Sequence, residues 1–219
     1  MENLAELEQQ LESALLRHND GSDGSHDLHH ARRVLRNAKE IAERENADAD
    51  LRQLTAAAYL HDLINLAKNS PQRTQASRLS AEAAAPILRE LDFEERDIEA
   101  IQHIITTHSF SADIPPETVE AKILQDADRM EALGALGIAR TFYVAGKLNS
   151  ALFDGDDPFA ADRELDDSRF AIDHFKAKLL GLAETMQTTA GKELAEERTT
   201  AMRRYLDELA DEIGPTNAW

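Results

Sequence analysis

Six of the eight histidines fall in three short groups: His26, His29 and His30; His61; His103 and His108. Imidazole serves either as a metal ligand or as a proton donor and acceptor near neutral pH. In Ser25-His26-Asp27-Leu28-His29-His30-Ala31-Arg32-Arg33-Val34, helical geometry stacks His26 and His30 on one face, about 40° apart, and turns His29 about 100° from His30. Two imidazoles can then converge on one site, although solvated histidines at a polar helix start, capped by Ser25 or Asp27, would give the same string. The pair His61-Asp62 lies in the apolar stretch Ala56–Leu66. Burial of an ionisable pair is unfavourable unless each group is paired or binds a metal, so this pair points to metal binding or catalysis. A third string, Gln125-Asp126-Ala127-Asp128-Arg129-Met130-Glu131, holds two carboxylates about 200° apart on a helix, so only one can face a given site. From the spacing alone, both are better read as solvated carboxylates paired with Arg129. Imidazole nitrogens and carboxylate oxygens together suit Mn²⁺, Fe²⁺, Co²⁺, Ni²⁺ or Mg²⁺, and facing helices of a bundle can carry such ligands.

The elements that must position these groups read as helices almost throughout. Leu4, Leu7, Leu11 and Leu15 recur at helical spacing before a turn-rich run, Asn19 to Gly24. A second helix carries Ala31, Val34, Leu35, Ala38, Ile41 and Ala42 on one face. The third, Leu51 to Leu66, is apolar nearly all round, which predicts a central, buried helix with His61-Asp62 inside it. Helices follow from about Ser77 to Leu91 and from Glu94, then a loop from Ser109 closed by Pro115-Pro116. The period resumes at Glu117 and is expected to continue past Gly134 to Phe142. Gly146 to Ser168 reads as the longest irregular stretch, with two further helices behind it. With no convincing strand, the fold class is all-α: a helical bundle with an accessory C-terminal helix.

Composition narrows the chemistry. With 219 residues and no cysteine, there is no disulfide, thiolate nucleophile or Cys-ligated metal. The 42 Asp+Glu against 24 Lys+Arg give a formal charge of −18, which disfavours long nucleic acids because affinity for them comes from cations neutralising phosphates. A small phosphate ligand stays compatible where a bound cation supplies the field. The acidic, amphipathic N-terminus lacks the layout of a signal peptide and no apolar run approaches a bilayer span, so the expected location is the cytoplasm, away from membranes.

The order His30, His61-Asp62, Asp128 resembles the H…HD…D signature of the HD-domain metal-dependent phosphohydrolase superfamily. The strings SHDLHHARRV, YLHDLINLAKNSPQR, THSFS and QDADRMEALGALGIAR resemble its small bacterial YedJ/YpgQ-type subgroup, and the likeness runs from Ser22 to Gly191 through LFDGDDPF and LDDSRFAIDHFKAKLL. One departure is Glu131, where close relatives often carry Asp.

The resemblance implies a metal site built from His30, His61, Asp62 and Asp128, with Mn²⁺ favoured and Mg²⁺, Co²⁺, Ni²⁺ or Fe²⁺ as alternatives. It selects His30 by the His three residues before Arg-Val, and Asp128 by the Ala-Asp-(Arg/Lys)-hydrophobic pattern. It places His26 where related phosphodiesterases keep a proton-donating His; from the chemistry of a metal-bound water, Asp62 is expected to orient the attacking water as well. Phosphate-contacting groups are expected at Arg33, Lys68, Arg73, His108 and Arg129; Lys68 and Arg73 are equally readable as solvated loop charges. His108 could instead serve a second metal. The implied division is residues 1–24 as an N-terminal helix and turn, 25–191 as the HD domain, and 192–219 as a C-terminal helix packed on it. The expected activity is hydrolysis of phosphoester or phosphoanhydride bonds in small nucleotides, with (deoxy)nucleoside triphosphates first, by a monomer or homodimer. A nucleotide- or phosphate-binding sensor without turnover is the alternative. No role is assigned to His103, Asp126 or Glu131.

Overall fold

The computed structural model describes residues 4–18, 28–64, 66, 72–109 and 112–214. Among the described residues there are nine α-helices, short 3-10 turns and no strand. The all-α expectation is met. The chain divides into two compact units, residues 1–128 and 129–219.

The first unit holds α1 (Leu4–His18), α2 (Leu28–Arg44), α3 (Leu51–Leu60), α4 (Ala76–Glu90), α5 (Glu95–His108) and α6 (Val119–Arg129) up to Asp128. α3 packs against α1, α2, α4 and α5, and every residue from Leu54 to Leu60 is buried. That central position follows from its composition, since a helix apolar on all sides is stable only when neighbours cover all sides. It starts on Asp50, whose carboxylate accepts from the amides of Arg52 (2.9 Å) and Gln53 (3.1 Å). α2 buries Ala31, Val34, Leu35, Ala38, Ile41 and Ala42, the stripe read from the sequence. α5 buries Ile98, Ile101, Ile104 and Ile105 against α4 and α3, each side chain contributing about 1.5–3 kcal/mol of hydrophobic stabilisation.

The third helix is shorter than expected. It stops at Leu60, with His61 as its C-cap and the chain turning through Leu63. The cause lies outside the local sequence: the Ser80 hydroxyl of α4 accepts from the Ile64 amide (3.0 Å) and donates to the Ile64 carbonyl (3.3 Å), satisfying backbone groups that a longer helix would have paired internally. His61-Asp62 therefore sits at a helix end and not inside a helix. The turn expected at Asn19–Gly24 lies outside the described residues.

The second unit begins with a departure from the expected continuous helix. α6 gives way to a 3-10 turn, Met130–Ala132, then to extended Leu133, before α7 (Gly134–Leu148) starts. Gly134 takes φ +68°, a conformation costly for other residues. A Cβ at Gly137 would lie 2.2 Å from the Ala132 carbonyl oxygen, so only glycine lets the first turn of α7 pass this close. The irregular stretch runs from Asn149, which closes α7 in the left-handed conformation, to α8 (Asp173–Ala177). Asp157 accepts from the amides of Ala161, Asp162 and Arg163, and Arg163 pairs with buried Asp173 at 2.5 and 2.8 Å. α9 (Thr189–Ile213) packs on α7, and Phe142, Phe175 and Tyr205 form an aromatic cluster with centroids 6.1–6.2 Å apart.

Candidate metal centre

Four elements of the first unit bring ionisable side chains to one place. His30 is buried near the start of α2, while neighbouring His29 is exposed. His61 and Asp62 follow α3, His108 ends α5, and Asp128 lies in the last turn of α6. The Nε2 atoms of His30 and His61 are 3.1 Å apart. Asp62 Oδ2 lies 3.5 Å from His61 Nε2 and 3.8 Å from His30 Nε2. Asp128 Oδ1 lies 3.5 Å from His30 Nε2 and 3.8 Å from His61 Nε2. The other Asp62 oxygen, Oδ1, is 3.6 Å from His108 Nε2. The donor atoms of His30, His61 and Asp128, and those of His61, Asp62 and His108, each lie within 4.8 Å of one another.

Backbone carbonyls orient two of the rings. His61 Nδ1–H donates to the Ala58 carbonyl (2.9 Å) and His108 Nδ1–H to the Ile105 carbonyl (2.6 Å). With Nδ1 protonated, each neutral ring presents a bare Nε2 to the cluster, the tautomer a metal ligand needs. Metal–nitrogen bonds of about 2.0–2.1 Å place adjacent ligand nitrogens roughly 3 Å apart, which the His30–His61 separation meets. The donor chemistry thus fits a divalent cation.

The electrostatics agree. Burial disfavours charge on His61, but the carboxylates of Asp62 and Asp128 outweigh it and push the imidazole up to about 9. Burial acts to raise Asp128, and the surrounding histidines, His61 foremost, instead hold it well below the usual carboxylate range. Mutual attraction of this strength in a largely buried group of acids and bases marks a site at which a cation can replace protons.

The other sequence candidates are placed as follows. His26 and Lys68 lie outside the described residues, as does the side chain of Arg73. Arg33 is half-buried on α2. Arg129 donates through Nη1 to the Thr185 carbonyl. Asp128 joins the cluster and Asp126 is fully buried away from solvent, so neither behaves as a free surface carboxylate. Of His103 and His108, only His108 belongs to the cluster; His103 Nε2 accepts from the Glu117 amide at 3.4 Å.

Sequence reading missed the groups that set the ligands' backbone. Buried Asn37 donates to the Ala127 carbonyl (3.2 Å), beside Asp128, and buried Gln125 donates to the Thr107 carbonyl (2.7 Å), beside His108. Each is a polar residue on an otherwise apolar helix face, the signal that could have found it.

The family model for the HD domain matches residues 27–133, which span every member of the cluster. Bacillus subtilis YpgQ is 35% identical over 198 residues, 89% of this chain and 87% of that protein. The chain belongs to the HD-domain family. The crystal structure of Bacillus subtilis YpgQ in complex with ADP superposes with a TM-score of 0.75 at 34% identity, covering 98% of both chains. An HD-superfamily hydrolase from Bacillus thuringiensis superposes with a TM-score of 0.75 at 28% identity, covering 98% of this chain and 100% of that one. The His30, His61-Asp62 and Asp128 cluster lies within the part of the chain that the HD-domain model matches.

Proposed function

We propose that this HD-domain protein is a metal-dependent phosphohydrolase of small nucleotides, with (deoxy)nucleoside triphosphates as the first substrates to try. The closeness of His30, His61 and Asp128, with Asp62 beside both imidazoles, carries the reading, and the ADP complex of Bacillus subtilis YpgQ supports a nucleotide ligand. In this proposal these four residues hold the ion, Mn²⁺ by preference. A divalent ion held there supplies Lewis-acid polarisation of the phosphorus centre and a lowered pKa for water.

The chain's own groups do the rest. Asp62 orients water for in-line attack and takes its proton as the new phosphorus–oxygen bond forms. The bond to the leaving oxygen breaks, and His26 gives that oxygen its proton. His108, beside Asp62, contacts the phosphate, while Arg33, Lys68, Arg73 and Arg129 supply positive charge for the remaining phosphate oxygens.

The test is a panel of nucleoside and deoxynucleoside triphosphates with Mn²⁺, Co²⁺ and Mg²⁺, followed by separation of phosphate, pyrophosphate and nucleotide products. We expect Mn²⁺-dependent turnover that is lost in His61→Ala and Asp62→Ala with the helical circular-dichroism spectrum retained. Tight nucleotide binding without product in any metal would overturn hydrolysis in favour of a sensor.

A further inference from the structure

α1 lies outside the residues matched by the HD-domain family model, 27–133, yet one of its side chains holds both helices that carry the histidine ligands. Glu12 accepts twice from Arg32 of α2, at 2.6 Å from Nε to Oε1 and 2.8 Å from Nη2 to Oε2. The same Oε1 accepts from the Tyr59 hydroxyl of α3 at 2.8 Å. Arg32 is two residues after His30, and Tyr59 two residues before His61.

On a helix, residues two apart point about 200° from one another, so Arg32 leaves α2 on the side away from His30. The same holds on α3, because His61 keeps helical backbone angles, φ −63° and ψ −31°. Glu12 thus grips the backs of two helices whose fronts present His30 and His61. Tyr59 is buried, and its neighbour Ala58 provides the carbonyl that orients the His61 ring. A slide of α2 along α3 would alter the 3.1 Å spacing of the two Nε2 atoms directly. A bidentate guanidinium pair is directional enough to resist that slide.

We infer that Glu12 is a positioning residue for the metal centre, fixing the His30–His61 spacing by clamping α2 through Arg32 and α3 through Tyr59. This rests on the metal reading given above. A comparison on the same helix separates clamping from simple docking of α1: Glu8 pairs with Lys39 of α2 at 2.6 Å. That pair joins α1 to α2 alone.

The experiment measures Mn²⁺ affinity and the visible spectrum of the Co²⁺-loaded full chain for the wild type, Glu12→Ala, Glu12→Gln, Tyr59→Phe and Glu8→Ala. Glu12→Ala should weaken Mn²⁺ binding about tenfold and shift the Co²⁺ bands, the lower end of the range for residues that support metal ligands from behind. Glu12→Gln, which keeps one oxygen acceptor but breaks the bidentate pair with Arg32, should recover only part of the affinity, and Tyr59→Phe, which leaves that pair intact, should lose less than Glu12→Ala. Glu8→Ala should stay within about twofold with an unchanged spectrum, because its pair with Lys39 ties α1 to α2 and leaves α3 unheld. Wild-type affinity in Glu12→Ala, or an equal loss in Glu8→Ala, overturns the inference while leaving the metal reading intact. Absence of Mn²⁺ and Co²⁺ uptake by the wild type overturns both. Should Glu12→Ala fail to fold, a folded Tyr59→Phe with wild-type Mn²⁺ affinity and Co²⁺ spectrum overturns the clamp.

Discussion

His61 and Asp62 are adjacent in sequence but do different work: His61 aims one bare nitrogen at the cluster, while Asp62 turns one oxygen to His30 and His61 and the other to His108. The burial of His61 was legible from the apolar residues around it, whereas Asp62 is only half-buried; the inward turn of His30 and the outward turn of His29 were not legible, because both rings lie on the same polar helix start. The charges give a pH dependence whose sign is fixed. An ordinary His has a pKa of about 6.5, and His61 is raised to about 9 in the metal-free fold. Its proton therefore stabilises the fold fully below about pH 6.5, and that contribution disappears as the pH rises through 9. Metal-free protein in a chelator should lose melting temperature between pH 6.5 and 9.5, read by differential scanning fluorimetry. Because the same proton must leave before Nε2 can bind a cation, Mn²⁺ affinity should climb over that interval; isothermal titration at pH 6.5, 7.5 and 9 checks this, and a flat profile would contradict it. Asp128 is depressed, so its contribution persists above the ordinary carboxylate range and is lost only on stronger acidification.

Helix ends, more than helix faces, arrange the site. His30 begins α2, His61 caps α3, His108 ends α5 and Asp128 lies in the last turn of α6. Hydrophobic periodicity located these helices well, but it extended α3 to Leu66 because the half-buried turn after Leu60 carries the same apolar pattern as a buried helix. The stop is made by Ser80, sixteen residues away. Gln125 plays a comparable part for α5, and Gln125→Ala would strand the buried Thr107 carbonyl. A loss of about 1–3 kcal/mol is expected, read by urea denaturation, together with weaker binding at the His108 side of the cluster. The break after α6 is equally non-periodic: Gly134 and Gly137 interrupt nothing in the apolar pattern, yet one adopts φ +68° and the other admits the Ala132 carbonyl. Gly137→Ala should destabilise the protein by about 1–3 kcal/mol through overpacking, or more if the Met130–Ala132 turn cannot shift, whereas Gly146→Ala, with nothing within 4 Å, should not destabilise it.

At the scale of the molecule, a chain of net charge −18 gathers five of its acids and bases, His30, His61, Asp62, His108 and Asp128, in one cluster where a cation is favoured, and no helix among the described residues is long and apolar enough to cross a membrane. A cation bound to the folded chain alone stabilises it by about 2.7 kcal/mol at one hundred times its dissociation constant. For a chain of this size that is a rise of roughly 5–11 °C in melting temperature, and His61→Ala should abolish most of it. Helical content, the lack of cysteine chemistry and the ordered strings around His30, His61-Asp62 and Asp128 were determined by the sequence by itself, because they depend on residue types and short spacings. Tertiary structure brought Asp128, already selected by the family pattern, against His30, and decided where α3 ends and that Glu12 reaches both ligand helices. Those outcomes depend on contacts between residues sixteen to about a hundred positions apart, and local periodicity carries no information about such partners.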